Sequence, residues 1–151
     1  MSSHSYNKVW LHLIWGTHGH KKIITKSVQP QIAQKLFDIA KEKQFFLRSC
    51  HVHNNHVHSL FDLPTNLSIE KVSKLLKGIS SHWINTEKVL KQKFQWGKGY
   101  GVFSVSESSV DKVVRYIQDQ DEHHRRKSFR EEVKEFLVAY NIEFSDDWLL
   151  D

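Results

Sequence analysis

Four histidines fall within the eight residues HVHNNHVH, at positions 51, 53, 56 and 58. Side chains two apart in a β-strand share a face, so His56 and His58 can offer two imidazole nitrogens to one divalent cation. Val57, Phe61 and Leu63 would then turn toward the core. Asn54 and Asn55 tolerate positive φ, and a two-residue hairpin turn there pairs His53 with His56 and His51 with His58. All four imidazoles then share one face, left open to solvent by the sheet, and either pair or all four can bind metal. No cysteine stands at a zinc-finger spacing from them, which favours an open, catalytic kind of site over a closed structural one. An isolated H-x-H is also what a solvated sheet face looks like.

The second reactive group lies in VVRYIQDQDEHHRR, residues 113 to 126. On a helix Tyr116 and Gln120 are four apart and share a face. The phenol of Tyr116 can act as a nucleophile, because an aryloxide both attacks and leaves readily. Gln120 can add a neutral oxygen ligand. His123, His124, Arg125 and Arg126 follow, suited to phosphate contact or simply to a solvated helix end.

These groups need a frame, and 151 residues match the length of one ordinary domain, read here as 1–151. Net charge is +5 with a pI near 9.3, which favours an anionic partner, nucleic acid first among them. The lone Cys50 excludes an internal disulfide, and no apolar run reaches the roughly 18 to 20 residues of a membrane span. A cytoplasmic, nucleoid-associated protein fits these features.

KVWLHLIW reads as a strand buried on both faces, and Pro30 opens a helix to about Lys43 with Ile32, Leu36, Phe37, Ile39 and Ala40 inward. Two hairpin strands follow. A second helix is expected from NLSIEKVSKLL through TEKVLKQK, with Ile69, Val72, Leu75, Leu76, Ile79 and Trp83 buried and Gly78 a point of interruption. GVFSVS reads as a short strand, and Ser108 with Asp111 begins a helix expected to run through Arg126. Ser128 and Glu131 form a capping box for the last helix, whose stripe is Phe129, Val133, Phe136, Leu137 and Tyr140. The order strand, helix, strand, strand, helix, strand is that of an α+β, ferredoxin-like antiparallel sheet with helices on one face. Lys71, Lys74 and Lys77 recur every three residues along the second helix, a basic ridge able to follow a phosphate backbone.

The His56-Val57-His58 triplet and Tyr116-Ile117-Gln118-Asp119-Gln120 resemble the His-hydrophobic-His and Y-I-x-x-Q motifs of the single-tyrosine HUH transposases, the IS-two-hundred-like group. HLIWGTHGHKKII, LLKGISSHWIN and QWGKGYGVFSVS extend the resemblance over nearly the whole chain. It implies cleavage and rejoining of single-stranded DNA through a 5′-phosphotyrosine, at element ends flanked by hairpins. It also implies Mg²⁺ or Mn²⁺ held by His56, His58 and Gln120, Tyr116 as nucleophile, and a homodimer whose sheets join and whose tyrosine helix can serve the partner's site. An acidic residue commonly precedes the first motif histidine in that group, whereas Asn55 stands here. Other readings of the same residues are a hairpin-binding relative that no longer transposes, a histidine-metal phosphodiesterase with Tyr116 structural, and a basic module without catalysis.

Overall fold

The computed structural model describes residues 4–147 and 149. Four strands, β1 (Trp10–Gly16), β2 (Phe46–Val52), β3 (His56–Asp62) and β4 (Gly101–Val105), form one sheet in the order β2-β3-β1-β4, every neighbour antiparallel. α1 (Gln29–Glu42) connects β1 to β2, and α2 (Ile69–Thr86) connects β3 to β4. The fold is therefore α+β with the ferredoxin-like strand order.

β1 is central, and all seven of its residues are buried. Leu11, Leu13 and Trp15 face α1 and α2 and pack on Ile32, Leu36, Ile39, Val72, Leu76 and Ile84. Trp10, His12 and Ile14 alternate to the other face. That second face is not open, as the sequence reading had it. α3 (Val110–Gln118) covers it with Val110, Val114 and Ile117, and α5 (Phe129–Ala139) covers it with Phe129 and Val133. These rings and branched chains make a second, smaller apolar layer beyond the sheet.

β2 carries a bulge between Leu47 and Ser49. The extra residue reverses the alternation, so Leu47 and Val52 both reach the α1/α2 core although one number is odd and the other even. His51 then stands opposite His58 on the other face, in the register expected, and the His53 amide donates to the His56 carbonyl. Neither Asn54 nor Asn55 has positive φ. The turn is held instead by tertiary bonds: the Ile24 amide donates to Asn54 and the Thr17 amide to Asn55.

The ends of two helices also differ from the sequence pattern. α2 stops at Thr86, because Lys88 takes a left-handed conformation (φ 51°), and TEKVLKQK lies mostly beyond the helix. Asn85 ties the following loop by accepting from the Phe94 amide and donating to its carbonyl, and the Trp96 indole donates to Ser80. Trp15 and Trp96 are core residues. Gly78 does not interrupt α2; it is exposed, and a Cβ there would touch nothing within 4 Å. Gly78→Ala is expected to stabilise the fold by about 0.5–1 kcal/mol, read as a rise in melting temperature.

Candidate metal and tyrosine site

β3 sets His56 and His58 side by side on the face beneath α3 and α5, both fully buried. α3 ends at Gln118, and Asp119 (φ −94°, ψ 22°) breaks the helix before a single further turn, α4 (Gln120–His123). The expected continuous helix is thus two pieces. Across the break Gln120 still turns back on Tyr116, its Nε2 donating to the Tyr116 carbonyl at 3.2 Å, while its Oε1 lies 3.4 Å from His56 Nε2 and 3.0 Å from His124 Nε2.

α5 supplies a carboxylate that the sequence reading missed. Ser128 and Glu131 form the expected reciprocal capping box, which fixes the start of the helix and turns Glu132, one residue on, into the sheet. Glu132 Oε1 lies 2.9 Å from His58 Nε2, 3.2 Å from His124 Nε2 and 3.9 Å from His56 Nε2. Its Oε2 accepts a short hydrogen bond from the Tyr116 hydroxyl. Burial alone pushes this carboxyl up, but hydrogen bonds from His124 and His58 outweigh it and hold it well below the usual carboxylate range. Position in the first helical turn, near the positive end of the helix dipole, works in the same sense. For Tyr116 burial comes first and the neighbouring Glu132 second, and both push the phenol well above its usual 10.

The outer nitrogens of the imidazoles are committed. His56 Nδ1 donates to Asn55 Oδ1 at 2.7 Å, since the Asn55 amide nitrogen is used on the His20 carbonyl. His124 Nδ1 donates to the Lys127 carbonyl at 3.0 Å. With Nδ1 protonated, the Nε2 lone pair of the neutral His56 ring faces the oxygens of Gln120 and Glu132 at 3.4 and 3.9 Å. Lone pairs facing oxygens repel, and a cation among them removes the repulsion. His12 sits behind His58, its Nε2 2.8 Å from His58 Nδ1, and so fixes that ring in turn. The Phe129 ring stacks on His56 at 4.2 Å between centroids and closes the apolar side.

These donors fit a metal. Bonds of about 2.0–2.2 Å to imidazole nitrogen and carboxylate oxygen place neighbouring donors about 3.0–3.5 Å apart, and the separations here run from 2.9 to 3.9 Å. One ligand atom from each of His56, His58, His124 and Glu132 lies within 4.8 Å of the others. Of the expected ligands, His56, His58 and Gln120 do meet, joined by His124, which the sequence suggested for phosphate contact, and by Glu132. Tyr116 reaches the same cluster within its own chain. The sequence signals for the missed residues are modest: His12 is an imidazole in an otherwise apolar strand, and His124 is four residues beyond Gln120.

The basic residues separate into two groups. α2 packs on the opposite face of the sheet from the histidines, so its ridge does not border this site. Lys71 and Lys74 are exposed, Lys74 pairing with Glu70 at 3.1 Å. Lys77 is turned inward as an internal strut, donating to the carbonyls of Lys98 and Gly99, and burial lowers its pKa to about 8. Arg125 and Arg126 are exposed just past α4. The side chain of His123 lies outside the described residues. Next to the site opens a pocket of about 390 Å³ lined by His20, Lys22, His53, His124, Lys127 and Arg130, a basic mouth that the sequence reading did not find.

The buried rings make the metal-free protein sensitive to acid. Burial, helped by His58, holds His12 well below 6.5, and burial with His58 and His124 does the same for His56. Unfolded, both return to about 6.5 and bind protons below it. Their stabilising effect is therefore complete above about pH 6.5 and falls with acid by about 1.4 kcal/mol per pH unit for each ring. Glu132 adds a loss in the same direction below about pH 4.5. Urea midpoints measured in chelator are expected to drop steadily from pH 7 to pH 5; a flat profile would contradict neutral, buried imidazoles.

Known proteins resemble this chain over most of its length. Residues 5–120 match the family described as Transposase IS200 like. The ISDra2 transposase TnpA of Deinococcus radiodurans is 27% identical over 114 residues, 72% of this chain and 81% of that one. A crystal structure described as that of a transposase from the same organism superposes with a TM-score of 0.64 at 27% identity, covering 80% of this chain and 96% of the other. The structure of a REP-associated tyrosine transposase bound to a REP hairpin shares the fold, with a TM-score of 0.58 at 15% identity over 82% of this chain and 74% of that one. His124 and Glu132 lie beyond the segment that matches the family.

Proposed function

The chain belongs to the IS200-like transposases, and from that premise we propose that it nicks and rejoins single-stranded DNA with Tyr116 as the nucleophile and His56, His58, Gln120, His124 and Glu132 as cation ligands. One observation carries the reading: a single carboxylate, Glu132, accepts from the Tyr116 hydroxyl on one oxygen and from His58 on the other. The phenol is thus one carboxylate away from the imidazole pair.

A bound divalent cation supplies Lewis-acid polarisation of the scissile phosphate and a template for in-line attack. Three nitrogens and two oxygens suit Mn²⁺ better than Mg²⁺, which prefers an all-oxygen octahedron. The protein does the rest. Glu132 takes the phenol proton as the Tyr116 oxygen bonds to phosphorus. The bond from phosphorus to the 3′ oxygen breaks, and that oxygen takes a proton from solvent and leaves as a hydroxyl, while Glu132 keeps the phenol proton for the reverse step. The product is a 5′-phosphotyrosine, and attack by another 3′ hydroxyl reverses the step at a new junction without an external energy source. Phe129 and Phe136 help to keep water from the ester.

The basic pocket lined by Lys22, Lys127 and Arg130 receives the single strand, and the exposed Arg125 and Arg126 precede Lys127 in the chain as further phosphate contacts. The exposed Lys71 and Lys74 are left for a duplex stem on the other face, which suits a hairpin, and the structure of one relative is of a hairpin complex. The unpaired edge of β4 is the proposed seam of a homodimer, to be checked by light scattering. Because Tyr116 meets its own chain's histidines, cleavage in cis needs no exchange of helices.

The test is covalent trapping on labelled single-stranded hairpin oligonucleotides from the flanks of the gene. Mn²⁺ is expected to give an adduct that survives denaturation, with a free 3′ hydroxyl on the released fragment and less product in Mg²⁺. Cutting without an adduct would overturn the tyrosine route, and binding without cutting would overturn the enzyme.

A further inference from the structure

Outside the site just described, His51, His53 and Asp121 bring one ligand atom each to within 4.8 Å of the others. His51 is the next-to-last residue of β2, His53 begins the turn beyond it, and Asp121 is the second residue of α4. His53 Nδ1 is 3.0 Å from Asp121 Oδ1, and His51 Nε2 is 3.7 Å from the same oxygen. Among the described residues, His51 Nε2 is buried and has no hydrogen-bond partner. We propose that these three residues form a second cation site, for a borderline transition ion such as Zn²⁺, that clamps α4 to the β2–β3 hairpin.

The donor chemistry is specific. Two imidazole nitrogens with one carboxylate oxygen match the ligands of Zn²⁺ and its neighbours, not those of Ca²⁺ or Mg²⁺. Tetrahedral coordination at about 2.0–2.2 Å spaces ligands about 3.3–3.6 Å apart, and the two distances to Asp121 bracket that range. Asp121 is 59% exposed, so the fourth position is open to water or to a phosphate oxygen.

Position gives the site its consequence. Gln120 and Asp121 are adjacent on one isolated helical turn, and Gln120 reaches the first cluster while Asp121 reaches the second. The break at Asp119 leaves that turn without continuous helix on its N-terminal side. A cation on His51, His53 and Asp121 fixes the turn from outside and thereby holds Gln120 against His56. These are positioning residues, and their binding of metal does not depend on the transposase reading.

The experiment is equilibrium dialysis of the full chain, stripped with chelator, against Zn²⁺ or Co²⁺, with bound metal counted per chain. His51→Gln/His53→Gln is expected to bind one ion fewer than the wild-type chain, and Asp121→Asn to weaken that ion about tenfold or more. Amides of residues 119–124 are expected to exchange more slowly when it binds. Asp121 is exposed, so Asp121→Asn serves if the double variant misfolds, with matched circular dichroism in chelator as the control. Equal stoichiometry and affinity in wild-type and variant chains overturns the site. A wild-type count of one that falls to zero in the double variant supports it while overturning the cation assigned to His56 and His58.

Discussion

Tyr116→Phe is expected to abolish the covalent protein–DNA product and to slow strand cleavage by at least about 10³-fold. The ring is kept, so its edge contacts with His12, His58 and Phe136 persist and the fold should survive. Lost is one hydroxyl and its bond to the Glu132 carboxylate, worth about 1.5–3 kcal/mol. Hairpin binding is expected to be unchanged, because no part of the basic pocket is touched. A variant that keeps cutting at the wild-type rate would mean that water, not Tyr116, attacks phosphorus, and the histidine cluster would then be a phosphodiesterase centre. Gel mobility of the labelled adduct and single-turnover cleavage separate the two outcomes directly.

Glu132→Ala is expected to be the most destabilising substitution at the site, by about 3–5 kcal/mol in urea unfolding at pH 7. The carboxylate is 1% exposed and accepts from His58, His124 and Tyr116. Its removal leaves all three facing a void without acceptors. Glu132→Gln keeps the volume and one acceptor oxygen, so a loss nearer half of that is expected, and with it weaker cation binding because the anionic ligand is gone. Both variants should also lose the stability that wild-type protein sheds below about pH 4.5, because Glu132 no longer titrates. An alanine variant as stable as wild type would show that Glu132 does not hold the cluster together.

What the sequence disclosed followed the range of each interaction. The strand period of two put His56 and His58 on one face, helical spacing brought Tyr116 and Gln120 together, and the Ser128–Glu131 box marked the start of α5; all three are local patterns. The α1 and α2 stripes were legible for the same reason, and the order of elements along the chain pointed to the ferredoxin-like class. His124 and Glu132 were not, because each enters the site by tertiary packing. Glu132 reaches His58 across 74 residues, and nothing in its neighbourhood distinguishes it from Glu131 beside it. The helix boundaries failed where one residue decides: Lys88 turns left-handed and Asp119 opens the helix, though TEKVLKQK and YIQDQDEH carry acceptable helical patterns. The face of the sheet read as open is covered by α3 and α5, whose apolar stripes pack on Trp10, Ile14, Leu60 and Phe103. The positive φ expected at Asn54 and Asn55 is absent because bonds from Thr17 and Ile24 shape that turn from outside.

The donors of the site are spread from His56 on β3 to Glu132 on α5. A chain leaving the ribosome therefore presents the histidine pair and then the tyrosine well before it presents the carboxylate that binds them both. Synthesis that stops between Tyr116 and Glu132 leaves a chain without the carboxylate that joins the phenol to the imidazoles, so the last helix completes the cluster.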